Sequence, residues 1–112
     1  MLARELKQEG VSLIDCSSAN IVPHAKVPAG PGYQVGFSER IRKETGIMTS
    51  ALGFIVSPHQ AETILRTGQA DVIVIARQFL RDPYWALNAA KELAIATPWP
   101  NQYKRAEPVI RQ

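Results

Sequence analysis

The 112-residue chain has a single cysteine, Cys16, and no long apolar run. One cysteine excludes an internal disulfide and is typical of a reducing compartment, so we expect a cytoplasmic protein. No stretch approaches the roughly 20 consecutive apolar residues that a membrane-spanning helix needs. The N-terminal segment MLARELKQEG carries charges where a signal peptide would be apolar, so we expect neither a signal peptide nor a membrane partner.

The chain also has little excess charge. Its formal net charge is +3, and basic residues are interleaved with acidic ones, as in the segment ERIRKE at 39–44. A nucleic-acid-binding protein more often concentrates its basic residues in a stripe with aromatic residues between them, so we expect no nucleic-acid partner. His24 and His59 have no metal-ligating partner at a recognisable spacing, and the sequence therefore predicts no metal site.

Apolar runs and turn residues predict helices that alternate with strands. We expect helices at 2–9, 37–45, 57–67 and after Asp82, and strands between them at 11–16, 47–52 and 71–76. Ser38 and Ser57 are the predicted N-caps of two helices, and Gln60 completes a capping box with Ser57. This alternation predicts parallel strands.

The segment 70–85, ADVIVIARQFLRDPYW, organises the prediction of function. Its β-branched run at 72–75 predicts a strand buried on both faces. Ala76 and Arg77 follow, which places a backbone N–H and a guanidinium at the C-terminal end of that strand. Phosphate-bearing ligands bind at such positions in α/β proteins. The alternative is that Arg77 only pairs with a nearby carboxylate such as Asp82.

Three strand-helix units are too few for a complete sheet or barrel. An eight-unit barrel needs about 250 residues. We therefore predict an α/β fold that is an incomplete (β/α)8 TIM barrel, with its last three strand-helix units in residues 1–97. Beyond them we predict an irregular C-terminal tail in residues 98–112, because this part is rich in proline.

Three segments resemble the C-terminal part of the Old Yellow Enzyme family of FMN-dependent NADH:flavin oxidoreductases, and within it a bacterial ene-reductase subgroup. They are GVSLIDCSSANIVP with the loop GPGYQVGFSERIR, then ALGFIVSP with HQAETIL, then ADVIVIARQFLRDPYWALNAAKEL with the tail PNQYKRA. The similarity covers nearly the whole chain in the family's order. In that family these segments form barrel strands six to eight with their helices.

The resemblance implies FMN as cofactor, NADPH or NADH as reductant, and a small activated alkene or enone as substrate. It places the FMN phosphate between the loops after strands seven and eight. Gly53 matches the glycine of the first loop, Arg77 matches the arginine of the second, and Ala76 stands where the family usually has glycine. In the tail, Tyr103 and Arg105 match a segment that reaches a neighbouring subunit, which implies a homo-oligomer.

The family's substrate-binding histidines and its tyrosine proton donor lie on earlier strands, so we assign no catalytic residue to this chain. Two other hypotheses stay open: a truncated, non-catalytic remnant, and a small phosphate-binding α/β module. We expect Cys16 to be a buried apolar residue, Asp15 to cap a loop and His59 to lie on the surface. Tyr33 and Gln34, in the Pro- and Gly-rich segment 19–36, are expected to line the mouth of the site.

Overall fold

The computed structural model describes residues 1–18, 26 and 30–109, and within them it confirms the predicted alternation of helices and strands. The elements are helix α1 (Leu2–Gln8), strand β1 (Leu13–Asp15), helix α2 (Val35–Thr45), strand β2 (Met48–Ala51), helix α3 (Pro58–Arg66), strand β3 (Val72–Ile73), helices α4 (Arg77–Arg81) and α5 (Trp85–Glu92), and a 3-10 helix (Asn101–Ala106). No helix in this part of the chain is long and apolar enough to cross a membrane.

The three strands form one parallel sheet in the order β1-β2-β3. Leu13 lies opposite Met48, and Ser50 lies opposite Val72. The fold is therefore mixed α/β with parallel strands, as predicted. Because the strands are parallel, their C-terminal ends meet at one edge of the sheet, and the loops that follow them come together there.

One face of the sheet, which we call the covered face, packs against α2 and α3. Thr49 and Ala51 of β2 lie on this face and are 0% exposed. The apolar core on this side contains Val35, Ala51, Ile55, Ala61, Ile64 and Ala70. Helix α1 packs against α2, and α5 packs against α3, so the helices form a layer on the covered face.

The other face carries apolar side chains that remain exposed. Strand alternation and the register place Leu13, Met48 and Val72 on this open face, with Val74 two residues further on. Val72 is 43% exposed and Val74 is 41% exposed. The prediction that the 72–75 strand is buried on both faces is therefore wrong. Only Val72–Ile73 form the strand, which lies at a sheet edge and has helices on one side only.

The helix starts differ from the prediction in two places. Helix α2 begins at Val35, so Ser38 is not an N-cap; it is buried, and its hydroxyl donates to the carbonyls of Val35 (2.7 Å) and Gln69 (3.0 Å). Ser57 is the N-cap residue of α3, as predicted, but its side chain makes no capping hydrogen bond. The Gln60 side chain accepts from the N–H of Val56 (3.4 Å) instead, so the capping box does not form.

The segment after β3 contains a short helix that was not predicted. Helix α4 ends at Arg81, and Asp82 is its C-cap residue. The Asp82 carboxylate accepts from the N–H of Tyr84 (3.0 Å), the residue before α5. The predicted helix after Asp82 is thus confirmed as α5. The tail beyond Thr97, predicted to be irregular, contains one 3-10 helix at Asn101–Ala106.

Candidate functional site

The loops that follow β2 and β3 enclose a cleft of about 380 Å3 at the C-terminal edge of the sheet. This volume lies within the range of small-molecule sites, about 300–1,000 Å3. Residues 52–56 and 74–78 form its two sides, and Ser17, Tyr33, Gln34 and Arg81 complete it. Of the described residues, two arginines and no carboxylate line the cleft, so its side chains favour an anion.

Gly53 lies where β2 ends and has a backbone conformation that other residues adopt at a cost, with φ +114°. A Cβ atom at this position would lie 3.0 Å from two ring carbons of Tyr33. The Gly53 carbonyl accepts from the N–H of Gly32 (2.7 Å), so the loop before α2 rests directly on this residue. The close packing and the positive φ together explain why glycine is needed here.

Ala76 and Arg77 lie across the cleft from Gly53, where β3 gives way to α4. Ala76 is exposed and has φ −112°, so its conformation does not need a glycine. Among the hydrogen bonds between described residues, the N–H groups of Gly53, Ala76 and Arg77 donate to no acceptor. The three residues predicted from the sequence therefore line one cleft, with free backbone donors.

The Arg77 guanidinium lies over the ring of Phe54, with 5.0 Å between Cζ and the ring centroid. Within the described ranges no ion pair involves Arg77. The alternative pairing with Asp82 does not form, because that carboxylate accepts from the N–H of Tyr84 and from the Asn88 amide (2.8 Å). The Arg77 charge is thus available to a ligand. Free N–H groups beside a guanidinium that makes no ion pair within the described residues are suited to an anion such as a phosphate group.

Two residues that line the cleft, Arg81 and Phe54, were not predicted from the sequence. Arg81 follows Arg77 by four residues on α4, and this spacing places both on one side of a helix. It was missed because α4 itself was not predicted. Phe54 was missed because its contact with Arg77 joins loops after different strands, and no local sequence signal marks such a contact.

Tyr33 and Gln34 line the cleft, as expected of the loop before α2. Gln34 is only 2% exposed, and its side-chain oxygen accepts from the N–H of Ser18 (2.9 Å). Its amide nitrogen donates to the hydroxyl of Tyr33. The Tyr33 ring packs against Phe54 with 6.0 Å between centroids. Gln34 therefore fixes the ring that packs on both Gly53 and Phe54.

The other titratable residues considered from the sequence, Asp15, Cys16 and His59, do not line the cleft, and each is buried or has a polar partner. Cys16 is buried, which raises the pKa of its thiol, with a smaller contribution from Asp15. Asp15 accepts a hydrogen bond from the Ser50 hydroxyl. His59 is exposed and faces Glu92, with 3.4 Å between Nε2 and Oε1, and His24 lies outside the described residues. In the part of the chain that is described, no three metal-ligating side chains come together.

The two predicted interface residues lie on the 3-10 helix of the tail. Tyr103 packs edge-on against Tyr84, with 5.7 Å between ring centroids and 3.4 Å between the hydroxyl oxygens. This hydrogen bond raises the pKa of Tyr84. Arg105 is exposed. The tail is thus anchored beside the start of α5, and its contact with a neighbouring subunit stays a prediction.

Comparison with known proteins gives consistent matches. The model of the NADH:flavin oxidoreductase / NADH oxidase family matches residues 1–95. The chain is 50% identical over 105 residues to an NADPH dehydrogenase of Halalkalibacterium halodurans, covering 94% of this chain and 31% of the relative. It is 52% identical over 103 residues to that of a Geobacillus species and 48% identical over 103 residues to that of Bacillus subtilis, each covering 92% of this chain and 30% of the relative.

These matches confirm the predicted Old Yellow Enzyme resemblance and, for the family, the predicted FMN cofactor. Of the two predicted reductants, NADPH and NADH, the names of the relatives give NADPH. The chain spans about a third of the length of its relatives and matches their C-terminal portion. The family model covers most of the chain, and the cleft has the donors that a phosphate-bearing cofactor needs. This chain belongs to the NADH:flavin oxidoreductase / NADH oxidase family.

Proposed function

We propose that this chain is the C-terminal part of an FMN-dependent NAD(P)H oxidoreductase of the ene-reductase type, and that it supplies the FMN phosphate site. The observation that carries the proposal is the guanidinium of Arg77, which makes no ion pair with any described residue and lies at the C-terminal edge of a parallel sheet. Ligands of α/β proteins bind at that edge.

Each predicted residue has a distinct part in this proposal. The N–H groups of Gly53 and Ala76 donate to phosphate oxygens from opposite sides of the cleft. Arg77 offers a planar pair of N–H donors and a positive charge to the same group. Glycine at position 53 lets the backbone approach the phosphate while Tyr33 packs behind it. Arg81 adds a second positive charge at the rim.

The open face supports the proposed incomplete barrel. Within the described residues, β1 and β3 pair with β2 alone, so each leaves one edge without a strand. In a (β/α)8 barrel, neighbouring strands would pair with both edges, and the open face would become the packed interior. We place the last three strand-helix units in residues 1–97 and the tail in residues 98–112.

When bound, FMN supplies the hydride transfer that links NADPH to a small activated alkene or enone. This chain's own residues bind and orient the phosphate end of the cofactor, and we assign none of them a catalytic role. Tyr103 and Arg105 are the proposed contacts to a neighbouring subunit, because the 3-10 helix leaves both side chains exposed.

A second candidate is a small phosphate-binding module that acts without the rest of a barrel. It is favoured by one observation: all the donors described above come from this chain and already face one cleft. Such a module would bind inorganic phosphate or other phosphate esters as well as FMN, whereas a cofactor site would prefer FMN.

The test is a titration of the purified 112-residue chain with FMN, riboflavin and inorganic phosphate, followed by flavin fluorescence and competition. Two variants accompany it: Arg77→Ala, and Arg66→Ala as a matched control on α3, where the arginine pairs with Glu62 away from the cleft. We expect FMN to bind at micromolar concentration and Arg77→Ala to weaken it by about ten- to a hundred-fold, the usual loss for a hydrogen bond to a charged group. Arg66→Ala should bind normally.

The outcomes separate the candidates. Equal affinity for FMN and inorganic phosphate favours the small module. A folded chain that binds no flavin overturns the claim that these residues suffice for the phosphate site. A chain that is unfolded by far-UV circular dichroism and binds nothing favours the truncated remnant.

A further inference from the structure

We propose that Phe54 is a positioning residue for Arg77: its ring holds the face of the guanidinium so that the N–H donors stay free for the cofactor's phosphate. The inference rests on the proposed phosphate site and adds a residue to it. It starts from the position of Arg77, whose Cζ lies over the Phe54 ring, 5.0 Å from its centroid. Cations are attracted to an aromatic face within about 6 Å.

The chemistry of the side chain that contacts Arg77 decides whether its N–H donors and its charge remain available to an anion. A carboxylate partner would accept from the N–H groups and cancel the positive charge. An aromatic ring contacts the flat face of the guanidinium and leaves the in-plane N–H groups and the charge available. No carboxylate lines the cleft, and no ion pair in the described ranges includes Arg77. The ring therefore restrains the side chain without competing with an anion.

Phe54 is itself held in place at some cost. It is a bulky residue with φ +50°, and it remains 45% exposed, so burial of its own surface does not account for its position. A positive φ at such a residue persists where surrounding structure imposes it. Tyr33 also packs against Phe54, with 6.0 Å between ring centroids, and the buried Gln34 side chain donates to the Tyr33 hydroxyl. Contacts thus link Gln34 to Tyr33, Tyr33 to Phe54 and Phe54 to Arg77 along the lining of the cleft.

The experiment compares affinities for FMN and for riboflavin, which lacks the phosphate, in the full 112-residue chain. Phe54→Leu and Phe54→Met remove the aromatic face but keep an apolar side chain, and Phe54→Tyr keeps the face. We expect Leu and Met to lower the preference for FMN over riboflavin by about two- to five-fold, the range for an exposed cation–π contact. Phe54→Tyr should retain the preference, and riboflavin affinity should stay constant in all three.

A double-mutant cycle locates the effect on Arg77. In the Arg77→Ala background, Phe54→Leu should cause no further loss of FMN preference, because the two side chains act through one contact. Full additivity of the two losses overturns the positioning role.

The failure of this inference differs from the failure of the proposed function. A wild-type preference for FMN that survives in both Phe54→Leu and Phe54→Met overturns the role of Phe54 and leaves the phosphate site intact. A wild-type chain with no preference for FMN over riboflavin overturns the phosphate site, and the role of Phe54 with it.

Discussion

The two faces of the sheet are formed by the same three strands but have opposite surroundings. On the covered face, Thr49 and Ala51 are fully buried beneath α2 and α3. On the open face, Met48 of the same strand is 49% exposed, and Leu13 and Val72 beside it are exposed as well. These three side chains are nevertheless apolar and suited to burial, whereas Ser50 on the same face is 1% exposed and donates to Asp15. The apolar side chains of this face are suited to a packed interior but are not packed.

This difference shows which part of the chain can fold by its own interactions. The covered face has a core, a helix layer and a polar latch, in which the Asp71 carboxylate accepts from Arg42 Nε (3.0 Å) and the Thr49 N–H (3.0 Å). The open face has a hydrogen bond from Ser50 to Asp15, but no apolar core and no helix layer cover it among the described residues. Exposed apolar patches of this kind mark interaction surfaces. The covered face should therefore control stability, and the open face should control association.

The sharpest comparison places the same charge on both faces of β2. Ala51→Lys buries an ammonium group among Ile55, Ala61 and Ile64, and we expect it to abolish folding or cost at least about 4 kcal/mol of unfolding free energy. Met48→Lys puts an equally long side chain on the open face and should change stability by less than about 0.5 kcal/mol. Urea unfolding followed by circular dichroism measures both. Equal losses would mean that the open face is as tightly packed as the covered one.

The next largest effect on stability is expected at the C-terminal edge of the sheet, which both faces share. Gly53→Ala forces a Cβ against the Tyr33 ring at a φ that alanine rarely adopts, so we expect about 1–3 kcal/mol of destabilisation and weaker FMN binding. Ala76→Gly is the control in the facing loop. It should leave FMN binding equal or stronger, because it removes a methyl and keeps the N–H. A neutral Gly53→Ala in both assays would contradict the tight packing.

A moderate effect is expected at the polar latch of the covered face. Arg42, assisted by the Thr49 N–H, holds the pKa of Asp71 below its ordinary value. A carboxylate whose pKa is lower when folded stabilises the protein above its unfolded pKa, roughly pH 4, and this stability is lost as pH falls through the folded pKa. Asp71→Asn should cost about 1 kcal/mol at neutral pH and flatten the acid limb of the stability profile.

The control for the latch is Glu62→Gln, which removes a carboxylate from the exposed pair with Arg66 on α3. Urea midpoints measured from pH 3 to 7 should coincide with wild type for this variant. An acid limb that keeps its full slope in Asp71→Asn would show that other carboxylates cause it.

The sequence was sufficient for features that depend on local signals. Glycines and β-branched runs gave the order of helices and strands, and parallel alternation correctly brought Gly53, Ala76 and Arg77 to one cleft. Features that depend on distant partners were not predictable. Ser38 was predicted to be an N-cap but lies inside α2. Its hydroxyl donates to the carbonyl of Gln69, 31 residues further along the chain, and no local signal marks that partner.

The same limit explains the error in β3 and the omission of Phe54. An apolar run indicates that a strand is suited to burial. Whether it is buried depends on which other elements pack against it. Val72 and Val74 are suited to an interior but remain 43% and 41% exposed in the described part of the chain. The contact between Phe54 and Arg77 depends on two loops reaching the same edge, and neither loop carries a sign of the other.

The smallest effect on stability is expected on the open face itself. The double substitution Val72→Thr with Val74→Thr keeps β-branched side chains of nearly equal shape and adds two hydroxyls that can reach water. Unfolding free energy should change by less than about 0.5 kcal/mol. Binding of the apolar dye ANS and self-association in sedimentation should both fall, because each depends on exposed apolar surface. Unchanged dye binding with a clear loss of stability would show that these valines pack within the chain, and the contrast between the two faces would then disappear.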